Sequence, residues 1–299
     1  SGPGTVADPT PIGAAYDMPY NESFKINQLL GIIDVEGEMQ WTIADDTNMQ
    51  GITSQDNDGA FGACQASNPG DESRIFTGYI SIPADVKSPV FSYYYYCQAA
   101  DDPNYYQVYI NDGSGRFEPL GQPEIIGNAT VGSWNRVVLP LDAYKGKNVQ
   151  IAVNVKIMGI YPNEFIDNMS IQSMLDKDLS ISLSLPESVI PGETLAVNAT
   201  VENRGVDSQT CSVTIYLNDV QVYISQDVTL ASAAKQSFSH SLVVDKLAAD
   251  ELKIMAVVNC ADDNDWTNNH MIDFVKVDHP SYPAVNDLSA EVASDKSVT

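Results

Sequence analysis

Three histidines are spread along the chain, His240, His270 and His279. General acid–base or nucleophilic chemistry would need one of them beside a Ser, Cys or carboxylate partner. His240 falls within an expected strand, His270 near a strand start and His279 in an expected linker. No HExxH, nucleophile elbow or phosphate-binding loop accompanies them. Carboxylates are abundant, so a glycosidase-like pair is available by residue type, yet spacing singles out no two of them. The chain is therefore expected to be non-enzymatic.

Metal chemistry has a clearer signal. Asp56-Asn57-Asp58-Gly59 places oxygen donors at alternate positions ahead of a glycine that permits a sharp turn. That suits a hard cation such as calcium, which takes six to eight oxygens. It is not an EF-hand, because the later spacing and closing Glu are missing. A plain acidic turn is the competing reading. Asp262-Asp263-Asn264-Asp265 forms a second acidic loop, read as a solvated hairpin tip. The four cysteines fall two and two, Cys64 with Cys97 and Cys211 with Cys260, none at zinc spacing. They are either one disulfide per domain or four small buried residues.

The elements that must hold these groups are strands. Val149, Ile151, Val153, Val155 and Ile157 alternate with mostly polar neighbours, which predicts a strand with one buried face. Residues 90–97, Val-Phe-Ser-Tyr-Tyr-Tyr-Tyr-Cys, suit a central strand in which Tyr93 to Tyr96 alternate between faces. Tyr105 to Ile110 is another strand, closed by the turn Asn111-Asp112-Gly113. The stretch Ile26 to Ile33 is left as a short helix or an irregular loop.

Near Leu175 the pattern changes. Leu179, Ile181, Leu183 and Leu185 alternate with serines. Strands then follow at 194–202, 211–217, 220–230, 236–244, 251–260 and 271–277. That spacing predicts a seven-stranded immunoglobulin-like sandwich. Cys211 shares parity with Val213 and Ile215, and Cys260 with Ile254, Ala256 and Val258. Both thiols are thus expected to face the core, where they could bridge the two sheets. The domain organisation read from these patterns is a linker at 1–15, a first domain at 16–175, an Ig-like domain at 176–278, and a linker with the truncated start of a third β domain at 279–299.

Acidic residues outnumber basic ones 40 to 15, for a net charge of -25. That charge repels phosphate backbones and anionic membrane surfaces, so nucleic acid is not an expected partner. No run of about 18 apolar residues is present, so no membrane insertion is expected either.

Family resemblance adds to this. Tyr20-Asn21-Glu22-Ser23-Phe24 with Trp41, Ser92-Tyr93-Tyr94-Tyr95, Trp134-Asn135-Arg136, Tyr144-Lys145-Gly146-Lys147 and Ile166-Asp167-Asn168-Met169 together resemble cleaved adhesin modules. These are jelly rolls related to the MAM domain. The second domain resembles the Ig-like module called CARDB, through Asp178-Leu179, Pro191-Gly192-Glu193, Val201-Glu202-Asn203-Arg204-Gly205 and Trp266-Thr267-Asn268-Asn269. Residues 282–299 are similar to the first strand of a fibronectin type III domain. The implied fold class is all-β, a jelly-roll β-sandwich followed by an immunoglobulin-like β-sandwich.

The jelly-roll resemblance also implies a structural calcium held by Glu22, Asp56, Asp58 and Asp167. Lys25 stands where such modules often carry an acid. Sugar sites on jelly rolls use exposed aromatics as stacking platforms. Tyr94, Tyr96, Tyr105 and Tyr161 are the candidates here, with Tyr106 and Tyr109 as further options; tyrosines that merely fill half-buried faces are the alternative. Trp41 and Trp134 are read as packing. The expected function is an adhesive or carbohydrate- or protein-binding module of a secreted or bacterial cell-surface protein. Its partners would be a glycan or a host or matrix protein, alongside further domains of the same polypeptide. Purely architectural spacing of a neighbouring catalytic domain is the alternative.

Overall fold

A computed structural model of the chain describes residues 15–25, 28–29, 32–37, 40–45, 51–65, 68–159 and 163–281. The fold is all-β, and the chain divides into two compact units, Ser1–Met174 and Leu175–Thr299. The expected linker at 1–15, save its last residue, and the expected third-domain strand from residue 282 lie outside the described residues.

The first unit runs through β1 (Tyr16–Asp17), β2 (Tyr20–Glu22), β3 (Ile32–Gly37), β4 (Gln40–Ala44), β5 (Phe61–Gln65), β6 (Glu72–Phe76), β7 (Ile80–Ser81), β8 (Pro89–Cys97), β9 (Tyr105–Asn111), β10 (Phe117–Ile125), β11 (Ser133–Pro140), β12 (Asn148–Lys156) and β13 (Asn163–Ser173). One sheet pairs β11-β8-β13-β5-β4, with β2 beside β13. The other carries β10, β9, β12, β6 and β3, extended by β7 and β1. Ile32 and Ile33 lie in strand β3, not in a helix. Two β-branched residues at its start favour an extended chain.

The core sits between the sheets. Tyr93 and Tyr95 of β8 are 1% exposed and meet Tyr106 of β9 at ring distances of 5.9 and 5.6 Å. Such tilted aromatic pairs add about 0.5–1.5 kcal/mol each beyond the area they bury. The Tyr106 hydroxyl donates to the Phe165 carbonyl at 3.2 Å, so its polar end is satisfied in the dry interior. β12 departs from expectation. Its apolar face is buried as the alternation predicts, but Gln150, Ala152 and Asn154 on the other face are buried as well. A small second cluster of Phe76, Phe117 and Ala152, flanked by Tyr109, covers that face. The Gln150 amide nitrogen donates to the Thr77 carbonyl at 3.0 Å.

The second unit contains β14 (Leu179–Ser184), β15 (Ser188–Val189), β16 (Thr194–Asn203), β17 (Gln209–Leu217), β18 (Val220–Ile224), β19 (Val228–Leu230), β20 (Lys235–Val243), β21 (Glu251–Cys260) and β22 (His270–Val277). The sheet β14-β16-β20 faces the sheet β15-β22-β21-β17-β18, in which β19 also pairs with β17. Leu179, Leu195, Val197, Val213, Ile215, Ile254, Ala256 and Val275 form its core, each fully buried. Cys211 and Cys260 face that core as their parity predicts. They do not bridge the two sheets, however. They sit directly opposite one another on neighbouring strands of a single sheet, both as thiols.

Candidate functional site

The outer face of the β11-β8-β13 sheet gathers most of the singled-out side chains. Because Tyr93 and Tyr95 turn inward, Tyr94 and Tyr96 must turn outward, and both are half-buried there. Register then decides their neighbours. Trp134 lies opposite Tyr96 and Arg136 opposite Tyr94, while Asp167 flanks Tyr94 on the other side. Trp134 packs edge-on against Tyr96 at 5.5 Å and Phe61 at 5.7 Å. Its indole N–H donates to the Thr53 carbonyl at 2.8 Å, which ties the loop after residue 51 to this face. The packing role read for Trp134 holds, and Trp41 is 3% exposed in the main core.

Tyr105 does not join this face. It lies on β9, in the opposite sheet, paired with Ile125 and Lys156. Tyr161 lies outside the described residues. Tyr106 is wholly internal.

The acidic loop walls the same face. Asp167 is fully buried and accepts the Gln55 backbone N–H at 2.9 Å and the Asn168 N–H at 2.8 Å. Burial nevertheless pushes its carboxyl up to about 8, with the charges of Asp56 and Asp58 adding to the rise. Asp56 and Asp58 thus lie near enough to Asp167 for their charges to act on it. Gly59, at φ +86°, closes the turn that carries both. Asp58 accepts the Ala60 N–H at 3.0 Å and faces the Lys25 ammonium at 3.4 Å. Glu22 is buried on β2 opposite Met169, two residues along β13 from Asp167. Among the described residues no three Asp, Glu, His or Cys side chains are drawn together as a ready-made metal cage.

Sequence reading missed a second carboxyl pair. Asp102 and Glu164 are 2% and 1% exposed and hydrogen-bonded to each other. Asn104, also buried, donates its amide to Glu164 at 2.6 Å and accepts the Met158 N–H at 2.8 Å. Burial raises both carboxyls, and the proximity of Asp102 raises Glu164 further. The pair shares a proton as two adjacent carboxyls must. Gly127 closes over it: a Cβ there would lie 2.6 Å from the Asp102 backbone. Direct contact and burial leave no room for a sugar between the two groups, whereas glycosidases hold theirs about 5–10 Å apart. Glu164 also sits opposite Cys64, and continuing the β8 register places Cys97 on its other side. Cys64 and Cys97 are thus two strands apart, about 10 Å, too far to bridge.

The histidines are spread as expected. His240 stacks on Tyr223 at 5.1 Å, His270 is exposed, and His279 lies 3.3 Å from the exposed Asp250. The second acidic loop departs from expectation. Asp263 is only 4% exposed and accepts the N–H groups of Leu179 and Asp265 and the Asn269 amide. It clasps the start of β14 instead of forming a solvated tip, because these donors need an internal acceptor.

The CARDB family model matches residues 176–271. No curated protein matches the chain in sequence. Among solved structures, the chain is similar to a CARDB domain of Pyrococcus furiosus crystallised in complex with di-metal ions, at 18% identity and TM-score 0.32, covering 35% of this chain and 90% of that one. A solution structure of that domain gives 20% identity and TM-score 0.32 over 35% and 97% of the two chains. A β-galacturonidase of Eisenbergiella tayi bound to galacturonate gives 12% identity and TM-score 0.39 over 89% and 45%. Residues 176–271 of this chain are a CARDB Ig-like domain.

Proposed function

We propose that the first unit is a non-catalytic, glycan-binding module of jelly-roll type, that the CARDB domain spaces it, and that both belong to a secreted or surface-displayed multidomain protein. The observation that carries this is the outward face of β8 and β11. There Tyr94 and Tyr96 stand half-exposed beside Trp134 and Arg136, with the loop after residue 51 as a side wall. Aromatic faces with a few convergent polar groups suit the apolar patches and hydroxyls of a sugar ring. The buried contact pair Asp102–Glu164 supports the non-catalytic part of the reading, since substrate has no access to it. A glycan array probed with the full chain is expected to return a defined glycan class. Tyr94→Ala is then expected to weaken that glycan about tenfold, the loss of one stacking contact. Tyr105→Ala, on the other sheet, is expected to leave it unchanged. An array without hits, with binding to immobilised matrix protein instead, would redirect the reading to protein adhesion. Binding to neither would leave the spacer role.

A structural calcium at Asp56, Asp58 and Asp167 is part of the same proposal. Its support is the negative charge that Asp56 and Asp58 bring to bear on Asp167 and the raised Asp167 carboxyl, which a divalent cation would draw down. When bound it would supply the charge that ties the loop to β13. Lys25 supplies a positive charge to Asp58 already and must be displaced. Calcium is therefore expected to raise the melting temperature of the first unit, and by more in Lys25→Gln than in the wild type. Melts that EDTA and calcium leave unchanged in both proteins would remove calcium from the reading.

A further inference from the structure

We propose that Cys211 and Cys260 form a reversible disulfide across β17 and β21 that locks the Ig-like unit. The two residues are direct cross-strand partners. Their place in the ladder is the decisive point. The Asn218 N–H bonds the Lys253 carbonyl, so 218 and 253 are a hydrogen-bonded pair of this ladder. Register runs unbroken from Leu217↔Ile254 to Cys211↔Cys260. Pair type alternates at each step, so 217/254, 215/256, 213/258 and 211/260 are non-hydrogen-bonded pairs. Val213 confirms the phase from the other edge: its N–H and carbonyl both go to Ser225, away from β21.

Non-hydrogen-bonded partners bring their Cα atoms to about 4.5 Å and their side chains closest, within the roughly 4.4–6.8 Å span of a disulfide. Both side chains point the same way, into the core. Bridging them therefore needs side-chain rotation without backbone movement.

The pair is asymmetric. Cys211 is 2% exposed, whereas Cys260 is half-exposed and accepts the Asn269 amide at 3.7 Å. Cys260 is thus the thiol an external disulfide reaches. Its thiolate attacks one sulfur of the oxidant RSSR, forming a mixed disulfide and releasing RS⁻. The Cys211 thiolate then attacks the Cys260 sulfur, closes the bridge and releases the second RS⁻. The two thiol protons end on the two leaving thiolates, and the two electrons lost by the protein reduce RSSR to two RSH. Burial pushes the Cys211 thiol up to about 11, and the nearby Cys260 and Asp227 raise it further. Burial also raises Cys260, with Asp263 and Asp262 contributing. Both thiols therefore react slowly, and the acidic surroundings favour a cationic oxidant.

The full chain, reduced and desalted, is treated with cystamine at mildly alkaline pH, digested without reduction and mapped by mass spectrometry. Expected is the loss of two of four thiols, with one linked peptide pair containing Cys211 and Cys260. The melting transition of the Ig-like unit is expected to rise by roughly 10 °C and to return with dithiothreitol, since the bridge closes a long loop of the unfolded chain. Cys211→Val, which keeps the site apolar, is expected to stop at a stable cysteamine adduct on Cys260. A wild-type protein that retains four alkylatable thiols would overturn the proposal. So would a persistent adduct on wild-type Cys260, or a bridge from either residue to another cysteine.

Discussion

Asp167→Asn is expected to destabilise the first unit at pH 4 and to stabilise it at pH 8, measured by urea unfolding in EDTA. Asp167 has its folded-state pKa raised from 3.8 to about 8. A carboxyl raised in this way supports folding fully below its unfolded pKa and loses that support as pH rises through the folded one. The window is therefore pH 4 to 8. A rise of about four units corresponds to about 5–6 kcal/mol at 1.36 kcal/mol each, an upper bound for one group. Asparagine does not titrate, so it escapes that loss. Its amide cannot accept both the Gln55 and the Asn168 N–H, which costs about 1–3 kcal/mol at any pH. The second effect dominates in acid and the first at pH 8, so the sign inverts between them. A variant equally unstable at both ends would show that Asp167 is ionised in the native protein. Calcium bound at the loop would displace the proton and erase the wild-type slope, which makes the same experiment a readout of the metal proposal.

Glu164→Ala is expected to cost the first unit about 3–5 kcal/mol, because it leaves buried polar partners without their acceptor. The Asn104 amide loses its 2.6 Å partner, and Asp102 loses the group with which it shares a proton. For a unit of this size that amounts to a fall of roughly 10–15 °C in melting temperature. Glu164→Gln is expected to stay within about 1 kcal/mol, since its carbonyl still accepts from Asn104 and its amide donates to Asp102. It should also flatten part of the pH dependence. Glu164 is held well above its ordinary pKa by burial, so its support too is present in acid and lost as pH rises. Equal losses for Ala and Gln would mean that the pair is held by shape and not by its proton.

Both groups illustrate where the reading of residues ran short. In the sequence only the family resemblance points to Asp167; nothing in Ile166-Asp167-Asn168 marks it as a carboxylate sealed beneath a loop 112 positions away. Glu164 carries no such pointer. It occupies an inward-facing position of β13, where period-two patterning assigns an apolar residue, and its partners Asp102 and Asn104 come from a distant turn. A polar residue at a core position is itself the signal that could have found it. Tyr94 and Tyr96 were legible, because alternation sends them opposite to Tyr93 and Tyr95 whatever the sheet order. Tyr105 was assigned to the same task by type alone, and the sheet it belongs to removed it.

The sequence by itself determined the strands, their inward faces, the acidic turn at 56–59 and the Ig-like character of residues 176–271. Each rests on neighbours a few positions apart, where side-chain alternation and turn chemistry act directly on the backbone. Tertiary structure alone decided which strands lie side by side. That choice put Cys211 against Cys260 within one sheet and Glu164 between Cys64 and the expected place of Cys97. It also buried Asp263 as a clasp. Pairing between distant strands is selected by the packing of whole faces and the satisfaction of buried polar groups, quantities that no local window contains.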